Sequence, residues 1–351
     1  MPKGRTIQKV VHAVRARDDG LGALVKRSIG NKETPKFNPF LILDHFKSDG
    51  PAGFPQHPHA GQEIITYCLA GKICHEDFTG SKGILYPGDL QFMAAGKGIV
   101  HSEMPLEDND GTNAQLLQLW IDLPNKVKDA PARYFDLREW EVPKFVSADG
   151  DITVKVVAGK SYGVESRKNL TYTGVEFYHY ILKPGATFTQ PVNPDYNYFL
   201  YVFKGSGLRV VNTPAKEFDN LFFNRDGDTI SGSTTGDVEF VLVGGEVLEQ
   251  PSIHLGPFVA VNEADINQKF VDYENSRNGF ENRKTWRSLI SNGVTDAMIN
   301  GPLQGSPEQR EKQKQQYLQY HQKPRSVDAD DVNDEPYRGQ TVLKHKEKEL
   351  A

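Results

Sequence analysis

The chain has 351 residues, 38% of them hydrophobic and 25% charged, and 41 Lys and Arg against 46 Asp and Glu leave a formal net charge of -5. A chain of this length buries a sizeable core and carries a prior of about two domains. The mild acidic balance argues against direct nucleic-acid binding. The lack of an apolar leader or of a run of spanning length predicts a soluble, intracellular protein with no membrane segment.

With 32 Gly and 21 Pro between short runs rich in Val, Ile, Tyr and Phe, the composition predicts a turn-rich, all-β protein. Residues from Thr6 to Arg15 alternate loosely as a strand or two, and Asn38 to Phe46 read as a buried strand ending in a polar tip at His45. His45 lacks a partner of ligand type two residues away and is expected to pack. After Phe54-Pro55-Gln56 and His57-Pro58-His59, a strand from Glu63 to Leu69 turns at Ala70-Gly71-Lys72 and returns as Ile73 to Phe78. Turns follow at Gly80 and Gly83 and at Pro87-Gly88-Asp89, then Leu90 to Met93, a loop at 94–98 and Ile99 to His101. Strands punctuated about every eight to twelve residues predict a sandwich or barrel, which Leu116 to Pro124 would close. The two cysteines, Cys68 and Cys74, flank the turn at Gly71 and are expected as buried thiols rather than a disulfide.

The chemistry is concentrated in two short motifs. Residues i and i+2 of a strand share a face, so His57 and His59 can aim at one point, and so can His101 and Glu103 about forty residues later. Three imidazoles and a carboxylate without a thiolate suit a borderline divalent ion such as Fe(II), Mn, Ni, Cu or Zn, with positions open for chemistry, and disfavour a closed structural zinc site. Glu63 could be a further ligand, a base, or a carboxylate that orients a ligand imidazole. Ligation is disfavoured because four donors are already present. His75 reads as a hydrogen-bonded strand histidine.

From Ala130 to Asp151 the pattern weakens into a charged, Pro-containing connector, and from Ile152 strands resume in the order of the first half. The second half has Thr189-Gln190-Pro191 where the first has His-Pro-His, so it is expected to shape or support the fold without binding metal. Asn262 should cap a helix with Ile266, Phe270 and Tyr273 on its packed face, stopping near Asn278-Gly279. Beyond Asn300 a polar stretch with a helix start at Ser306-Pro307 leads into acidic and basic runs that read as a solvated tail.

The segment HPHAGQEIITYCLAGKICHEDFTGSKGILYPGDLQFMAAGKGIVHSEMP, with NPFLILDHF before it and GPFVAVN and NGFENRKTW after it, closely resembles the pirin family of bicupins from about Arg15 to Trp286. The resemblance implies two cupin barrels, with one mononuclear non-haem Fe(II) held in the first by His57, His59, His101 and Glu103. The domains would then be 1–135 (metal-binding), 136–150 (connector), 151–286 (second cupin with its packing helix) and 287–351 (polar extension). Two activities are associated with the family. One is dioxygenolytic cleavage of a quercetin-type flavonol by O2 with loss of carbon monoxide, for which Glu103 would be the base and Phe46 and Phe92 could flank the flat ligand. The other is iron- and redox-sensitive co-regulation of transcription through a transcription-factor protein partner. Cytoplasmic or nuclear location fits both.

Overall fold

A computed structural model describes residues 2–15, 24–48, 53–106 and 111–322. The chain forms two barrels, each from a seven-stranded and a four-stranded sheet. In the first barrel the large sheet runs Arg133–Leu137, Leu90–Ala94, Gln62–Ala70, Gln115–Asp122, Phe40–Lys47, Leu24–Ile29, Val14–Arg15. Its small sheet runs Phe54–His59, Ile99–Leu106, Lys72–Asp77, Lys82–Leu85. The second barrel repeats the same order, from Ile7–His12 to Lys144–Val146 in the large sheet and from Thr187–Pro191 to Thr213–Ala215 in the small one. The all-β, two-barrel expectation is met.

Strand pleating explains how the barrels pack. On Gln62–Ala70, Ile65 and Tyr67 face the other barrel, whereas Ile64, Thr66 and Cys68 face inward. On Gln115–Asp122 the same alternation sends Leu117, Leu119 and Ile121 outward to the partner barrel and Gln118 and Trp120 inward. These outward residues join Phe177, Phe199, Phe222, Val241 and Val243 of the second barrel in one buried cluster. Phe40 meets Phe199 edge-on there, with centroids 5.0 Å apart. Because both faces of these sheets are buried, their strands read as continuous apolar runs rather than alternating ones.

The chain ends cross between the barrels. Ile7–His12 pairs with Asp219–Phe223 and is an edge strand of the second barrel. Conversely, the hairpin of Ile253–Leu255 and Phe258–Ala260 and the helix α1 (Glu263–Asn275) pack on the first, where Phe258, Ile266 and Phe280 meet Ala60, Ile99 and Val100. Asn262 caps α1 by accepting from the Asp265 N–H, and Phe270 and Tyr273 lie on its packed face. The helix stops at Ser276 in the left-handed conformation, just before the Asn278-Gly279 signal. The connector holds the Arg133–Leu137 and Lys144–Val146 strands, one edge for each barrel.

The second barrel has a filled interior. Tyr180 stacks on Phe240 and Phe188 packs tilted against both, with centroids 5.0–5.1 Å apart, and Gln190 accepts from Tyr180 and Ser161. The extension after Trp286 is more ordered than its composition suggests: Ile290 and Leu303 are buried, α2 spans Asp296–Asn300 and α3 spans Pro307–Gln322. The terminal charged runs lie outside the described residues. No helix among the described residues is long and apolar enough to cross a membrane.

Glu63 points away from the imidazole cluster, on the parity of Ile65 and Tyr67, and accepts from the Tyr172 and Thr173 N–H groups at 2.7 and 3.0 Å. It therefore ties the first barrel to the 170–174 loop of the second half. Burial raises its pKa to about 7 despite those two donors. A folded-state value above the ordinary 4.5 contributes stability that is present below pH 4.5 and is lost as pH rises through 7. We expect the stability of the wild type relative to Glu63→Gln to fall by about 2–3 kcal/mol between pH 4.5 and pH 8.5, measured by chemical denaturation at both values. A pH-independent difference would refute this account.

Candidate metal centre

The small sheet of the first barrel brings the two motifs together. Phe54–His59 pairs antiparallel with Ile99–Leu106, placing His57 opposite His101 and His59 opposite Ile99. The next matched pair is Glu103 with Phe54, so the first strand contains one extra residue in a bulge around Pro55-Gln56. Proline has no N–H to give to a ladder, which makes this a natural place for the irregularity. The bulge turns the Pro55 carbonyl to the His57 ring, where it accepts from Nδ1 at 2.8 Å.

His57, His59 and His101 offer nitrogen atoms that all lie within 4.8 Å of one another. The Nε2 atoms of His57 and His101 lie 2.8 Å apart, and the three ring centroids are 4.3–4.9 Å apart. Each ring is held from behind. His57 has the Pro55 carbonyl, and His101 Nδ1 lies 2.8 Å from the Tyr134 hydroxyl. The His59 ring, with Nδ1 3.2 Å from the Gln62 amide nitrogen, also bonds the Pro257 carbonyl. Such partners fix the rotation of each imidazole, and the Pro55 carbonyl selects the His57 tautomer with its bare Nε2 toward the centre.

Desolvation keeps all three rings neutral. Burial lowers His57 to about 4 and pushes His59 and His101 well below the ordinary 6.5. Three neutral imidazoles whose inner nitrogens face one point, the proton shared between His57 and His101 being displaceable, are a donor set that fits a divalent cation. Glu103 is buried beside them, its Oε2 4.0 Å from His101 Nε2. It stands just outside the tight group of three, because Gln118 donates to Oε2 at 2.9 Å and Thr66 to Oε1 at 3.4 Å. Trp120 Nε1 donates to Gln118 Oε1 at 3.1 Å, which fixes the amide so that its NH2 faces the carboxylate. Burial raises the Glu103 pKa, and the hydrogen bonds from Gln118 oppose that shift.

The remaining candidates fall elsewhere. His45 lies between the barrels, 3.1 Å from the Tyr201 hydroxyl, and His75 bonds Asp136 at 3.1 Å. Cys68 and Cys74 are buried free thiols. Phe46 packs with Val25 and Cys68 in the barrel core, and Phe92 belongs to the cluster between the barrels, so Phe92 does not flank the imidazoles. Aromatic neighbours of the imidazoles include Trp120, edge-on to His59 at 4.8 Å, Phe54, 6.2 Å from His57, and Tyr134, 6.5 Å from His101. His254, on the hairpin from the chain's C-terminal part, lies 5.7 Å from Trp120. Tyr134, Gln118, Pro257 and His254 have no spacing relation to the His motifs, and only the fold assembles them.

Comparison with known proteins agrees with the two-barrel fold. The family model for pirin matches residues 22–121, and the model for the pirin C-terminal cupin domain matches 177–279. A pirin-like protein of Solanum lycopersicum is 40% identical over 288 residues, covering 81% of this chain and 96% of its own. A quercetin 2,3-dioxygenase from Acinetobacter baumannii shares the fold with a TM-score of 0.73 at 23% identity, over 79% of this chain and 99% of that one. A bacterial pirin from Escherichia coli, solved in complex with nickel(II), matches with a TM-score of 0.54 at 20% identity, over 68% of this chain and 100% of its own. Two cupin barrels in this order, matched in both halves by the family's own models and by a relative along nearly its whole length, make the chain a member of the pirin family.

Proposed function

We propose that the first barrel holds one Fe(II) through His57, His59, His101 and Glu103, and that the protein is a dioxygenase acting on flavonols of the quercetin type. The observation that carries this reading is the convergence of three neutral, buried imidazoles beside a buried carboxylate. The structural likeness to a quercetin 2,3-dioxygenase supports the substrate class. A bound ferrous ion supplies Lewis-acid polarisation and redox chemistry with O2.

The chain's own groups do the rest. His57, His59 and His101 stay neutral because they are desolvated, so their lone pairs remain available well below pH 7. Glu103 accepts the proton of the acidic flavonol hydroxyl. Gln118 and Thr66 hold its carboxylate in place, and Trp120 holds Gln118. The half-buried indole of Trp120 offers a flat apolar wall beside His59 for an aromatic ligand.

The purified protein is expected to bind about one metal ion, and His57→Ala or the pair His101→Ala with Glu103→Ala should abolish that binding. Metal analysis after chelation and reloading reads this, and full occupancy in the variants would remove the assignment. Because burial holds His57 at about 4 and the other two imidazoles well below 6.5, whereas the buried Glu103 carboxyl is raised and takes up a proton earlier, occupancy in Glu103→Gln at pH 5.5 should match that at pH 7. Dialysis at stepwise lower pH with metal quantification checks it, and release beginning near pH 6.5 contradicts it. Incubation of the Fe(II)-loaded protein with quercetin in air should bleach the flavonol absorbance, with O2 consumed. Absence of turnover in fully loaded protein would favour the redox-sensing co-regulator instead.

A further inference from the structure

The segment after Trp286 covers the outer face of the sheet that carries the candidate ligands. Alternation puts His101 and Glu103 inside the barrel and Ser102 and Met104 outside, with Cys74 and Ile84 on the same outer face. Ile290 and Leu303 bury against Cys74, Ile84 and Met104, helped by Val294, Met298 and Ile299. Polar contacts fix the strap at both ends. At one end Glu76 accepts from the Ser288 hydroxyl and the Ile290 N–H, at 2.7 and 3.1 Å. At the other, Arg310 of α3 forms a two-point ion pair with the fully buried Asp89 and lies over Tyr86 and Trp140.

Between these anchors sits Ser291. The bulge that turns the Pro55 carbonyl inward to His57 also takes the Gln56 N–H out of the ladder, and that N–H donates to Ser291 Oγ at 3.0 Å. The same Oγ is 2.9 Å from the hydroxyl of Ser102, which is completely buried between His101 and Glu103. One hydroxyl thus joins the backs of both strands that carry the motifs. It meets one strand beside His57 and the other between His101 and Glu103. The second family model ends at residue 279, so this contact comes from outside the matched cupin segments.

We propose that Ser291 is a positioning residue for the metal centre, closing the Pro55-Gln56 bulge from outside the barrel so that His57 stays in register with His101. The proposal rests on the metal-binding reading above. Loss of its hydroxyl leaves the Gln56 N–H without its partner and frees the bulge, while every inward donor is still present.

In the full-length protein, Ser291→Ala is expected to weaken Ni(II) binding about threefold to tenfold, the effect of one hydrogen bond, and Ser291→Thr should restore it. The denaturation midpoint of the metal-free protein should change little. Hydrogen exchange of the metal-free protein should rise at 54–58 in Ser291→Ala and stay unchanged at 62–70. Unaltered Ni(II) affinity in Ser291→Ala, or a lowered midpoint with affinity intact, overturns the proposal. If the wild type itself takes up neither Ni(II) nor Fe(II), the metal-binding reading fails instead. Hydrogen exchange then decides the role of Ser291 alone, since unchanged protection at 54–58 overturns it and a local rise upholds it.

Discussion

The pairing of Phe54–His59 with Ile99–Leu106 is the interaction on which the rest of the site depends. Side chains on a strand alternate with a period of two, so a slip of one residue in this register would turn the imidazoles of one strand from the barrel interior to its outer face. The register is held by a bulge, and the bulge has its own supports. One exposed carbonyl goes inward to His57 and one freed N–H goes outward to Ser291. A conformational irregularity that would weaken an ordinary sheet is here satisfied on both sides.

The two barrels share a strand order and differ in what fills them. In the first, the inward positions carry histidines, Glu103, Thr66, Gln118 and Trp120, each linked to a partner. In the second, tyrosines and phenylalanines close the same space by ring packing. The crossing of the chain ends binds these unlike halves together. The N-terminal strand completes the second barrel, and the hairpin near the C-terminal end supplies Pro257 and His254 beside the first. The second barrel thus takes an edge strand from the first half, and the first is packed by a hairpin and a helix from the second.

Much of the fold was legible because turns are local. Gly71, Gly88 and Gly96 all take the left-handed backbone that their turns require, and they fall where the sequence places the breaks. The capping of α1 by Asn262 was legible for the same reason. Glu63 and Phe92 were harder to place. Both lie on strands buried on both faces, so hydrophobic alternation carries no information about which side is the barrel interior. The strap was obscured by composition: α3 is polar all round, and its anchor is the single residue Arg310 meeting a buried Asp89.

The sequence by itself determined the candidate donors, since His57 with His59 and His101 with Glu103 share a strand face through the pleat of an isolated strand. It also determined that the second half lacks that set. Only the tertiary structure decided which face became the interior and what holds each donor in place. Gln118 reaches Glu103 from 15 residues away, Tyr134 reaches His101 from 33, and Ser291 reaches Gln56 from 235. Contacts across such separations arise from the closure of sheets into barrels and the crossing of chain ends, and short-range spacing cannot encode them.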